Sequence, residues 1–260
     1  MEILGYIGAM IVGVSLGLLG GGGSILAVPL FVYLFQVPAT EATTYSLFVV
    51  GFASLIGFLQ AFRADRVDLK AGFAFAVPSI IGMTVVRRFI LPLIPGEWIW
   101  GEFQFSKDGL ILVSFAVVMV AAATAMLRSK TETFHVLSKN RLALIIKAFG
   151  VGSVTGFVGA GGGFLIVPTL VSIFGLNMRR ATGTSLGVIA ITSFSGFFGD
   201  VLVGRPLDFF LLGSVTALSV IGILIGIVLG KQVTDQKLKP AFGVFVLIAG
   251  AAIIFKQVML

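Results

Sequence analysis

Four consecutive glycines, Gly20 to Gly23, interrupt an apolar run near the start of the chain, and a matching knot interrupts another in the second half. The first reads Gly17-Leu-Leu-Gly-Gly-Gly-Gly-Ser24 and leads into Ile25-Leu-Ala-Val-Pro29. The second reads Gly156-Phe-Val-Gly-Ala-Gly-Gly-Gly163 and leads into Phe164-Leu-Ile-Val-Pro168. Glycine runs break helices. Inside a bilayer a broken helix exposes backbone N–H and C=O groups, which is tolerated only where they are buried in protein or line a cavity. Paired breaks in two matching halves are the pattern of a membrane carrier's binding site.

That a bilayer is the solvent follows from composition. The chain is 58% hydrophobic and 11% charged, whereas a soluble domain carries about 25% charged residues. Its mean hydropathy is +1.12. The longest polar stretch, Arg128 to Arg141, is too short for a soluble domain. We expect an all-α polytopic membrane protein with a single transmembrane domain over 1–260. The net charge of +7 lies in short loops, where it orients spans and gives no reason to expect nucleic acid. Cysteine is absent, which excludes disulfides, thiolate catalysis and Cys metal sites. Glu2 is the lone charge at the N-terminus, so the first run reads as a retained span and not a cleaved signal.

Ten apolar segments can be marked, at 3–19, 25–36, 42–62, 71–92, 109–127, 142–159, 164–175, 181–203, 207–230 and 240–259. Eight are long enough to span a core of about 30 Å at about 1.5 Å per residue. Segments 25–36 and 164–175 are not, at roughly 18 Å each. Each follows a knot, which predicts a hairpin: a helix enters, breaks at the glycines, and a short helix returns.

The chain is an internal repeat, 1–127 and 142–260, joined by a linker at 128–141. Aligning Gly17 with Gly156 places Gly20, Gly22, Gly23, Leu26, Val28 and Pro29 on Gly159, Gly161, Gly162, Leu165, Val167 and Pro168. Ala42, Thr43, Ser46 and Leu47 then fall on Ala181, Thr182, Ser185 and Leu186, and Ser54 and Gly57 on Ser193 and Gly196. Similar loops follow, Arg66-Val-Asp68 and Arg205-Pro-Leu-Asp208. With returning hairpins, the loops 63–70, 128–141, 179–180 and 231–239 share one face and hold most Lys and Arg residues. The positive-inside rule makes that face cytoplasmic and both termini external. Each half then crosses an odd number of times, so the repeats are inverted.

Helix N-termini are anion sites, and glycine lets backbone approach a small ligand. We therefore assign substrate binding to Gly20, Gly21, Gly22, Gly23 and Ser24, and to Gly159, Ala160, Gly161, Gly162 and Gly163. Close helix packing through small residues is the plainer account, but it explains four glycines in a row poorly. Thr43, Thr44 and Ser46 match Thr182, Thr184 and Ser185. Thr43 with Ser46, and Thr182 with Ser185, share helix faces. Their hydroxyls can line a path, or they can bond back to their own helix. Asp200 is the first candidate for a coupling proton site, and Arg87 and Arg88 for gating at the outer mouth. Interfacial anchoring is the default for both arginines, and snorkelling or hydration for Lys147 and Asp200. Glu41 favours the start of its helix. His135, the sole histidine, reads as solvated. Trp98 and Trp100 read as an interfacial belt. No metal, cofactor or catalytic dyad can be assembled, which argues against an enzyme, and the glycine knots argue against a purely structural bundle.

The paired Gly-xx-Gly-x-Gly-Gly…Pro patterns, Ala181-Thr-Gly-Thr-Ser-Leu186 and the two basic-to-Asp loops resemble the TauE/SafE sulfite exporter family over nearly the whole chain. The resemblance implies transport of a small sulfur-containing anion such as sulfite, thiosulfate or sulfoacetate, and export across a bacterial inner membrane. The first half departs from the pattern with Ala42-Thr-Thr-Tyr-Ser46. A passive anion channel, a permease for another small anion, and a monomer or a homodimer stay open.

Overall fold

Wherever the chain runs apolar without a glycine cluster, a helix forms. The computed structural model describes residues 2–100, 103–128, 141–204, 207–230 and 235–259. The first half holds α1 (Glu2–Leu19), α2 (Gly22–Leu34), α3 (Ala39–Arg63), α4 (Leu69–Leu93) and α5 (Lys107–Arg128). The second half holds α6 (Arg141–Val158), α7 (Gly163–Phe174), α8 (Met178–Leu202), α9 (Phe209–Leu229) and α10 (Asp235–Met259). The protein is an all-α polytopic membrane protein.

Among the described residues, α3, α4, α8, α9 and the Lys107–Thr124 part of α5 are long and apolar enough to cross a bilayer. The apolar parts of α1, α6 and α10 are shorter, at Ile3–Leu19, Leu142–Val158 and Val246–Lys256. The 93–107 loop is a small antiparallel hairpin, β1 (Glu97–Trp100) with β2 (Phe103–Ser106), in which Glu97 faces Ser106 and Trp100 faces Phe103. The side chains of Trp98 and Trp100, the linker interior with His135, Arg205 and residues 231–234 lie outside the described set.

α2 returns along α1. A side chain on Gly5 would start 2.5 Å from the Phe35 ring, and one on Gly23 would meet Leu16. The two halves then exchange partners. Gly13 and Gly17 of α1 press on Ser219 and Ile223 of α9, and the Ser219 hydroxyl donates to Ala9 O at 3.1 Å. Equivalently, Gly152 and Gly156 of α6 press on Ser79 and Met83 of α4, and the Ser79 hydroxyl donates to Ala148 O at 2.9 Å. Close approach at these four glycines replaces the hydrophobic drive that lipid cannot supply.

The third helices cross at the centre. Phe48 of α3 stacks on Phe197 of α8, Gly51 lies against Phe194, and Gly57 against Leu186. Residue numbers rise on one helix as they fall on the other, so α3 and α8 are antiparallel and the halves are inverted. Asp68 caps α4, accepting from Ala71 N–H at 2.9 Å, and Asp208 caps α9, accepting from Phe210 and Leu211 N–H at 3.0 Å. The backbone N–H of each capping aspartate donates across the repeat, Asp68 to the Thr184 hydroxyl and Asp208 to the Tyr45 hydroxyl, both at 2.8 Å. The basic-to-Asp loops are therefore helix caps tied to the central crossing.

Candidate functional site

The knots are the pivots of both hairpins and are buried, from Gly20 to Val28 and from Val158 to Gly163. Gly20, Gly21, Gly159, Gly161 and Gly162 have φ between 67° and 127°, a region that side-chain-bearing residues rarely enter. They also sit under close contact. A side chain on Gly20 would start 2.0 Å from Thr182, and one on Gly159 would start 2.3 Å from Thr43. Gly21 and Gly163 touch each other, so the two knots meet at the crossing. Ile189 of α8 lies against both Gly21 and Gly161. The N–H groups of Gly21, Ala160 and Gly161 take no part in the ladders of the flanking helices.

The hydroxyls chosen from sequence divide into roles. Thr43 donates to Thr40 O, Ser46 to Thr43 O, and Ser185 to Thr182 O, all back-bonds within their own helices. Ser46 also bonds to Gly159 O, which ties α3 to the second knot. The Ser24 hydroxyl donates to Gly21 O at 2.8 Å and braces the first. Thr182 covers Gly20. Thr184 accepts from Asp68 N–H and serves the α4 cap. On the face that carries Asp68, a largely apolar cavity is lined by Leu55, Phe58, Asp68, Gly72, Thr184 and Ile191.

On the opposite face the chain buries charge. Among the described residues, Arg87 and Asp200 are the charged side chains that are buried, at 6% and 3% exposed. Arg87 Nε donates to Asp200 Oδ1 at 3.1 Å, and Nη2 bonds to Oδ2, a two-point fork. Arg87 Nη1 donates to Gly156 O at 3.0 Å. Thr44 Oγ1 accepts from Nη2 at 3.3 Å and donates to Asp200 Oδ2 at 2.6 Å, and Thr43 Oγ1 stands 3.4 Å from Nη2. The cluster joins α3, α4, α6 and α8 beside the second knot.

The default reading of Arg87 as an interface anchor is thus corrected. The turn at Val86–Ile90 is a π turn, which re-aims the end of α4 so that Arg87 points in while Arg88 is exposed. Asp200 is not snorkelling either, since α8 lies at the centre of the bundle. Lys147 is exposed. Glu41 stands in the first turn of α3, but the Asp108 carboxylate does the capping, accepting from Thr40 N–H at 2.8 Å and from its hydroxyl. Opposite charges near the ends of two spans were the available signal for Arg87 and Asp200. No periodicity pairs them, because the partners come from different halves.

The chain matches the family model for sulfite exporter TauE/SafE over residues 6–253. A "Probable membrane transporter protein" of Xylella fastidiosa (strain Temecula1 / ATCC 700964) is 28% identical over 262 residues, covering 95% of this chain and 92% of the relative. One of Haemophilus influenzae is 26% identical over 256 residues, covering 92% and 93%. One of Methanocaldococcus jannaschii is 24% identical over 242 residues, covering 88% and 85%. Inverted halves, two glycine knots meeting at their crossing and this match along the chain converge: the protein is a membrane transporter and belongs to the TauE/SafE sulfite exporter family.

Proposed function

We propose that the protein is a secondary carrier that exports a small sulfur-containing anion, such as sulfite, thiosulfate or sulfoacetate, across a bacterial inner membrane by alternating access. The observation that carries this reading is the contact of Gly21 with Gly163, which joins two buried knots at the crossing of inverted halves. Backbone N–H groups of the knots hold the anion, which lets it leave again because no fixed cation touches it there. The loops 63–70, 128–141 and 231–239 face the cytoplasm and the termini face outward. In that frame the Arg87–Asp200 pair closes the external mouth, while the cavity beside Asp68 lies on the cytoplasmic side. External opening requires the pair to part. Arg87 can then meet the departing anion, and Asp200, parted from its counter-ion, is the candidate coupling group, which makes the pair both gate and coupling element. Arg88 stands at the rim. A passive channel is the weaker reading, because both knots are fully enclosed.

Purified protein in liposomes should show saturable sulfite counterflow. Gly161→Leu should abolish it, since the added side chain meets Val50 at 2.8 Å. Normal flux in that variant and in Gly22→Leu would remove the knots as the site. Cysteines at Lys70→Cys and Gly96→Cys should label from opposite sides of the membrane, and labelling from one side would break the topology.

A further inference from the structure

Three buried hydroxyls lack a hydrogen-bond partner among the described residues: Ser54, Ser193 and Thr216. Other hydroxyls in the bundle do not behave this way. Ser15, Ser153, Thr155, Thr169 and Thr192 each donate to a carbonyl three or four residues earlier. That back-bond is within reach of every helical serine and threonine. Ser54 and Ser193 forgo it, although both are 0% exposed.

These two are equivalent under the repeat, whereas the counterpart of Thr216 is Ala76. They also stand on the central crossing. Ser193 Oγ lies 3.2 Å from where a side chain on Gly161 would start, so it faces the left-handed turn of the second knot. A side chain on Gly51 would start 3.4 Å from Ser193 Cβ, and Ser54 follows Gly51 by one turn on the same face of α3. Two idle donors related by the pseudo-twofold, one of them beside a knot, fit a ligand that is absent from the helices themselves.

We infer that the Ser54 and Ser193 hydroxyls donate to the transported anion, a site that rests on the carrier reading above. Donors from two crossing helices suit an oxyanion or sulfonate, whose separate oxygens can accept from both. Neutral donors hold such a group without a fixed charge that would trap it. Their lack of any other partner keeps them available when the knots part.

The test uses the full-length protein and sulfite. Thermal unfolding in detergent, with and without sulfite, and proteoliposome flux are measured for wild type, Ser54→Ala, Ser193→Ala, the double variant and Thr216→Ala. We expect the serine variants to unfold at or above the wild-type temperature without sulfite. Their sulfite-induced shift should disappear, and the double variant's KM should rise at least tenfold. Ser193→Thr should restore part of the shift, and Thr216→Ala should match wild type in KM. A lower unfolding temperature without sulfite in the alanine variants would assign the hydroxyls a structural bond and overturn the inference. So would an unchanged KM with the shift retained. A wild type that moves no anion and shows no shift would instead fail the carrier reading itself.

Discussion

The two mouths of the bundle share a backbone plan and differ in chemistry. On one face Thr44, Asp200 and Arg87 form a buried ionic cluster on Gly156 O. The repeat-equivalent positions on the other face are Gly183, Ala61, Ile227 and Gly17. They also touch one another: a side chain on Gly183 would meet the Ala61 methyl at 3.0 Å, and one on Gly17 would meet Ile227 N at 2.7 Å. The same packing is thus held by charge on one side and by small and apolar contact on the other. Inverted repeats give two equivalent knots, but they do not make the two ends of the bundle equal. One end is latched by a fork of charge. The other, built of glycine, alanine and isoleucine, is held by shape.

The largest test removes one half of the latch. Asp200→Ala leaves Arg87 buried without its counter-ion and should cost about 3–5 kcal/mol in thermal or denaturant unfolding. Ile227→Ala on the other face should cost well below that, and equal losses would erase the contrast. Thr44→Val removes a hydroxyl bond to a carboxylate and should cost about 1.5–3 kcal/mol. Its counterpart Gly183 has no side chain to lose. The caps should behave alike, because Asp68 and Asp208 do the same work on the two faces. Each change to Ala should cost about 1 kcal/mol, and a large difference between them would show that the symmetry fails outside the latch as well. The smallest expected effect comes from copying the residues of the other face into this one. Arg87→Ile with Asp200→Ala should return stability to within about 1 kcal/mol of wild type, since an apolar pair replaces a buried ionic one. A double variant as unstable as Asp200→Ala would sink the comparison.

Much of the fold was legible because its determinants are local. Ten apolar runs, two of them too short, became ten helices, two of them returning from the knots. The glycines that break α1 and α6 act within a few residues of backbone, so the sequence carries their effect directly. The contacts left unread depend on distant partners. α3 is capped by Asp108 from α5, and Thr184 of α8 serves the α4 cap. In each case one residue meets another from a different element.

By itself the sequence determined the bilayer, the repeat, the positions of both breaks and the inversion implied by loop charge, because hydropathy and glycine content are properties of each segment. Only the tertiary structure decided which polar groups face one another. Arg87 and Arg88 are neighbours with the same side chain, yet a π turn sends one into a salt bridge and leaves the other exposed. Ser54 and Ser193 look like any other membrane serine until the crossing of α3 and α8 encloses them without partners among the described residues. Burial and pairing belong to the packed bundle, since they require two helices to meet and no single segment encodes that meeting.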